Sequence, residues 1–97
     1  MTRPLLDDAS LAAALVTLPG WTARDGALHA TFAVPTYEAG VALAVQIALY
    51  AQRVDHHPDL LVQWRKVTVS WGTHDAGGIT ARDVEGARYV ASIVAQR

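Results

Sequence analysis

Between Trp21 and Val34 the chain is constrained to a two-stranded hairpin. Leu28, Ala30, Phe32 and Val34 alternate with His29, Thr31 and Ala33, the period-two pattern of a strand with one buried face. Trp21 to Arg24 precede this run, and between the two lie Asp25 and Gly26, which both tolerate the positive φ of a tight turn. The theme returns later. Leu61 to Trp64 and Val67 to Trp71 flank Arg65 and Lys66, with Val67, Val69 and Trp71 on one face and Thr68 and Ser70 on the other. By the same alternation His29 leaves the core face and reads as a surface or interface residue.

Two hairpins with one apolar face each need cover, and three helical patterns supply it. Asp7 is placed to cap a first helix, in which Leu11, Ala14, Leu15 and Leu18 recur at helical intervals until Pro19 and Gly20 end it. Pro35 and Thr36 open a second, running to about Asp55 and closed by Pro58, because a residue before proline avoids the helical region. Thr80 caps a third, with Val84, Ala87, Ala91 and Val94 inward. The order predicts an α+β fold, α-β-β-α-β-β-α. A four-stranded antiparallel sheet carries three helices packed on one face, in a single domain over 1–97.

The middle helix carries more apolar surface than one sheet can cover. Val41, Val45 and Ala48 form one row, and Leu43, Ile47, Tyr50 and Val54 form another. The second row is expected to pack against another copy of the chain, as a homodimer or homotetramer through the 36–55 helix.

Composition narrows the function classes. A formal net charge of −1 argues against direct nucleic-acid binding through a basic face. With no cysteine there is neither a disulfide nor a thiolate metal site. Asp7 and Asp8 interrupt the amino terminus before an apolar leader could form, and the apolar stretch Val41 to Ala51 is too short for a bilayer. The expectation is a cytoplasmic protein without membrane contact.

What chemistry remains is proton transfer. Three of the four histidines, His56, His57 and His74, fall in the loops around Pro58 and Thr73 to Gly78, outside the core periodicities. Phosphate-cradling loops, nucleophile elbows and thiols are all missing from the sequence. Neighbouring residues of an extended segment project to opposite sides, so one of His56 and His57 is expected to touch a ligand while the other reaches it from an edge or orients the first.

The spacing of His56-His57-Pro58, Trp64, His74 and Gly77-Gly78-Ile79-Thr80 through Asp83 resembles the pterin-4a-carbinolamine dehydratase family, whose members are also known as the dimerisation cofactor of a homeodomain transcription factor. The resemblance spans about Trp21 to Ile93. It implies a lyase that removes water from a 4a-hydroxytetrahydropterin, giving the quinonoid dihydropterin in tetrahydrobiopterin recycling, with no cofactor and no metal. An aromatic amino acid hydroxylase is the implied pathway partner. By the same analogy His56 and His74 are the acid and base candidates, His57 binds the pterin, and Asp83 joins the catalytic set. Asp55, Pro58 and the Gly72, Thr73, His74 and Asp75 stretch are implied around the ring, with Trp64 or Trp21 lining the pocket.

One position departs from the pattern. Gln52 stands where the family usually has a charged residue, four positions before the first histidine, and a neutral amide cannot raise the basicity of an imidazole as a carboxylate would. This motivates an alternative: a catalytically impaired homologue acting as a binding or dimerisation module. A three-histidine zinc hydrolase is a weaker alternative, its spacing unlike a helical histidine pair. Asp83 also suits a capping box with Thr80, Asp59 and Asp75 read as solvated turn residues, and Trp71 reads as core.

Overall fold

The computed structural model describes residues 4–96. Helix α1 (Asp8–Val16) leads into strands β1 (Thr22–Arg24) and β2 (Ala27–Ala33). Helix α2 (Tyr37–Val54) follows, then β3 (Asp59–Gln63), β4 (Lys66–Trp71) and α3 (Ala81–Ala95). All pairings are antiparallel, in the order β1-β2-β4-β3, so the two hairpins are joined through their longer strands. This is the α+β arrangement the sequence predicts. The ends of the single domain read over 1–97 lie outside the described residues.

Local chemistry explains each boundary. Asp25 (φ 51°) and Gly26 (φ 76°) both adopt positive φ between β1 and β2, as the Asp-Gly pair allows. Asp7 Oδ1 accepts from the Ser10 backbone N–H at 2.8 Å and caps α1, and that bond holds the Asp7 carboxyl below its ordinary range. Thr36 Oγ1 does the same for Ala39 at the start of α2. At its other end Asp55 turns left-handed (φ 54°), and the His56 N–H reaches back to the Ala51 carbonyl. The β3–β4 turn falls one residue earlier than the sequence suggests, on Trp64 and Arg65, because Lys66 pairs with Gln63 in the ladder.

Leu28, Ala30, Val67, Val69 and Trp71 form the buried sheet face, and the three helices cover it. The opposite face, with Thr31, Ala33, Leu61 and Gln63, is open. On α2 the two apolar rows exchange the roles assigned to them. Leu43 and Ile47 are fully buried against the sheet, whereas Val41, Val45 and Leu49 are exposed. Gly40 and Ala51 complete the inward stripe with Leu43 and Ile47, and their small side chains contribute little to an apolar periodicity. Gly40 brings the helix close, since a Cβ there would sit 3.3 Å from Val34 and Val67. Tyr50 stacks on Tyr89 of α3, with centroids 3.8 Å apart. On α3 the inward residues are Val84, Ala87, Val90 and Ile93, while Ala91 and Val94 sit at the margin.

Candidate active site

His56 and His57 follow the left-handed turn at Asp55 and diverge. His56 is buried, 8% exposed, while His57 is exposed and lines a cleft of about 300 Å³. Its neighbours there are His74 and Thr73 from the loop after β4, Gly72, Gly77 and Gly78, the β1–β2 turn, and His29, Ser70 and Asp59 on the sheet. The loop that carries His74 is a short 3₁₀ turn, His74–Ala76, closed by Gly77 at φ 75°. Four of the residues implied for the site, His57, Gly72, Thr73 and His74, thus come together on one cleft.

Behind that cleft lies a buried polar network. His56 Nε2 donates to Asp83 Oδ1 at 2.6 Å. Asp83 Oδ2 accepts from the Thr73 hydroxyl at 2.8 Å and from the Thr80 backbone N–H at 2.8 Å. With the Thr73 proton committed to the carboxylate, Thr80 Oγ1 donates to Thr73 Oγ1 at 2.9 Å. Asp83 therefore fastens the amino terminus of α3, the Thr73 loop and the His56 loop at one point. The His56 ring also stacks on Trp71, with centroids 5.6 Å apart and planes 20° from parallel. Gly86 lies against Trp71, where a Cβ would come within 2.5 Å of the indole.

His57 is oriented from the other side. Its Nε2 lies 3.0 Å from Gln52 Oε1, one turn back on α2. A carboxamide oxygen only accepts, so Nε2 carries the hydrogen and the uncharged ring keeps its lone pair on Nδ1. Gln52 thus orients the His57 ring through an uncharged contact.

The other residues implied for the site lie off the cleft. Asp55 is the C-cap of α2, and its carbonyl accepts from Arg82 Nη2 at 2.8 Å, as does that of Val54. Pro58 is half-buried, and Asp75 is exposed beside His74; neither is among the lining residues. Trp21 is buried edge-to-face against Phe32 at 5.9 Å. Trp64 is 75% exposed at the tip of the β3–β4 hairpin, at the opposite end of the strands from Asp59 and Ser70, with the Arg65 guanidinium over its ring. The cleft instead gains His29, Asp59 and Ser70. Alternation had put His29 and Ser70 on the open face, but only the register shows that these three stand side by side. Among the described residues no group of three or more histidines and carboxylates is placed to hold a metal ion, and His56 Nε2 is engaged by Asp83. Nor is any helix among them long and apolar enough to cross a membrane.

The family model described as pterin 4 alpha carbinolamine dehydratase matches residues 4–93. A relative from Roseiflexus castenholzii, named as a pterin-4-alpha-carbinolamine dehydratase, is 40% identical over 90 residues, covering 93% of this chain and 97% of its own. One of the same name from Nocardia farcinica is 41% identical, covering 93% and 95%. The crystal structure of a transcriptional coactivator/pterin dehydratase from Brucella melitensis superposes with a TM-score of 0.87 at 30% identity, over 93% of this chain and 98% of that one.

Proposed function

Because this chain belongs to the pterin 4 alpha carbinolamine dehydratase family, we propose that it dehydrates a 4a-hydroxytetrahydropterin by acid/base catalysis between His57 and His74. In this reaction the ring carbon–oxygen bond breaks and the hydroxyl leaves as water after taking a proton. A ring nitrogen gives up its proton, and its electron pair forms the carbon–nitrogen double bond of the quinonoid dihydropterin. The elimination needs one acid and one base on a planar heterocycle, each transfer giving about 10²- to 10⁴-fold in rate.

The observation that carries this assignment is that His57 and His74, from loops on either side of β3 and β4, line one cleft. The Gln52 contact leaves the His57 lone pair on Nδ1, which suits His57 to the base role and leaves His74 as the acid. His56, buried on Asp83, holds the loop and takes no part in proton transfer with substrate. The test is to follow the disappearance of enzymatically generated 4a-hydroxytetrahydropterin with and without the protein. Loss no faster than the spontaneous reaction would refute the proposal.

We also propose a homo-oligomer through α2, by way of the outward Val41, Val45 and Leu49 stripe. Light scattering should show a species larger than the 10.4 kDa chain, reduced by Val45→Glu.

A further inference from the structure

The outward face of α2 is laid out symmetrically about Val45. Glu38, Val41, Val45, Ala48 and Gln52 follow one another at spacings of three and four, and Leu49 stands beside this seam. Each of these residues is exposed. Counting outward from Val45, Val41 answers Leu49, Ala42 answers Ala48, and Glu38 answers Gln52. Such a face can pair with a copy of itself when two helices run antiparallel about a twofold axis at Val45.

Charge selects that direction. Glu38 is the acid of the first turn of α2 and Arg53 the base of its last turn. Antiparallel pairing brings these unlike ends together, whereas parallel pairing sets Glu38 against Glu38 and Arg53 against Arg53. The apolar residues select the register. A shift of one heptad in either direction would place Val45 opposite Glu38 or Gln52 instead of opposite Val45.

This pairing reaches the cleft through Gln52. Within one chain Glu38 and Gln52 stand about 21 Å apart along the helix, at about 1.5 Å of rise per residue. Across the pair they face each other. Gln52 Oε1 already accepts from His57 Nε2 at 3.0 Å, and its amide nitrogen has no hydrogen-bond partner among the described residues. A carboxylate only accepts, so beside Gln52 it takes an amide hydrogen and holds the oxygen toward His57. Turned over, the amide would donate to Nε2 and move the hydrogen of the uncharged ring to Nδ1.

We propose that Glu38 of the partner subunit is a positioning residue for the cleft, its carboxylate accepting from the Gln52 amide so that Gln52 keeps the His57 hydrogen on Nε2. Each cleft is then completed by the other chain. The proposal rests on the dehydratase reading of the cleft and on assembly through α2.

The test compares turnover and mass of the unaltered protein, Glu38→Gln, and a mixed assembly of Glu38→Gln chains with His57→Ala chains, isolated through two affinity tags. Glu38→Gln puts a group at the interface that donates as well as accepts. It should lower kcat about two- to tenfold, the yield of one hydrogen bond, with KM and assembly mass little changed. In the mixed assembly the intact His57 again lies across from a Glu38, so kcat per intact His57 should return to that of the unaltered protein. A contact within one chain, or a general effect on the fold, would leave it at the Glu38→Gln level. Should Glu38→Gln separate into single chains, the mixed assembly decides alone, because it keeps one Glu38–Gln52 contact. Unchanged kcat in Glu38→Gln, or a mixed assembly no better than Glu38→Gln, overturns the proposal and leaves the dehydratase reading standing. A single-chain mass for the unaltered protein overturns the assembly and this proposal together. Absence of turnover by the unaltered, assembled protein overturns the dehydratase reading and the proposal with it.

Discussion

His56 and Asp83, which belong to loops and helices 27 positions apart, meet through a 2.6 Å hydrogen bond in the protein interior. The aspartate is completely buried and the histidine nearly so. Removing one member of such a pair leaves the other polar group without a partner away from water. Asp83→Ala should therefore cost about 3–5 kcal/mol of folding stability, and also releases the Thr73 hydroxyl and Thr80 N–H. Urea denaturation measures the loss, and a change near zero would contradict the network.

The three loop histidines should separate into two classes. His57→Ala and His74→Ala, both at exposed positions, are expected to lower turnover by about 10²- to 10⁴-fold with little change in thermal unfolding. His56→Ala should chiefly lower the unfolding temperature, because it strips Asp83 of a donor and Trp71 of a stacking partner. Turnover and melting measured on the same three variants check this, and an equal effect on turnover in all three would remove the distinction.

Gln52→Glu tests the roles of the cleft pair. A carboxylate at hydrogen-bond distance from His57 Nε2 favours the imidazolium, so the ionisation of His57 moves to higher pH. A base must be uncharged to act, so the acid limb of the pH–rate profile should shift upward. If the alkaline limb shifts instead, His57 is the acid and His74 the base.

Gly86→Ala adds a single carbon where the indole of Trp71 already stands. The ring is fully buried and has nowhere to retreat, so the substitution should cost about 1–3 kcal/mol and, through the stacked His56, disturb the cleft wall. Thermal unfolding and turnover should fall together.

The α1 cap gives a pH signature. The Asp7 carboxyl is lowered on folding, so its contribution is complete above the ordinary carboxylate range and is lost as pH falls through the lowered value. Asp7→Ser keeps a capping oxygen that does not titrate in this range. Acid melts of the two proteins should converge at low pH and diverge toward neutrality.

Local patterns carried the architecture. The Asp25-Gly26 turn, the alternation through Leu28 and Phe32 and the Thr36 cap each follow from short-range rules, and they correspond to observed elements. Orientation was harder to read. On α2 the stripe that meets the sheet includes Gly40 and Ala51, so apolarity alone could not choose between Leu43 with Ile47 and Val41 with Val45. The cleft was legible as a pair of histidine loops, because loop position and imidazole chemistry are both sequence properties. The depth of each residue within it was not. That His56 turns inward depends on the left-handed backbone at Asp55 and on Asp83, and Trp64 could not be excluded from the pocket until the ladder put it at the hairpin tip. His29, Ser70 and Asp59 form a row only through strand register, which no single segment encodes.

The strand order β1-β2-β4-β3 has a consequence for how a ligand would be felt. Each hairpin could assemble by itself, but the floor of the cleft appears only when β2 zips onto β4, the longest-range of the three strand pairings among the described residues. A half-assembled chain would thus own its histidines and yet lack a receptor. Occupancy would act as a latch on the completed topology, so it should slow global opening, seen as amide exchange protection spreading through both hairpins at once.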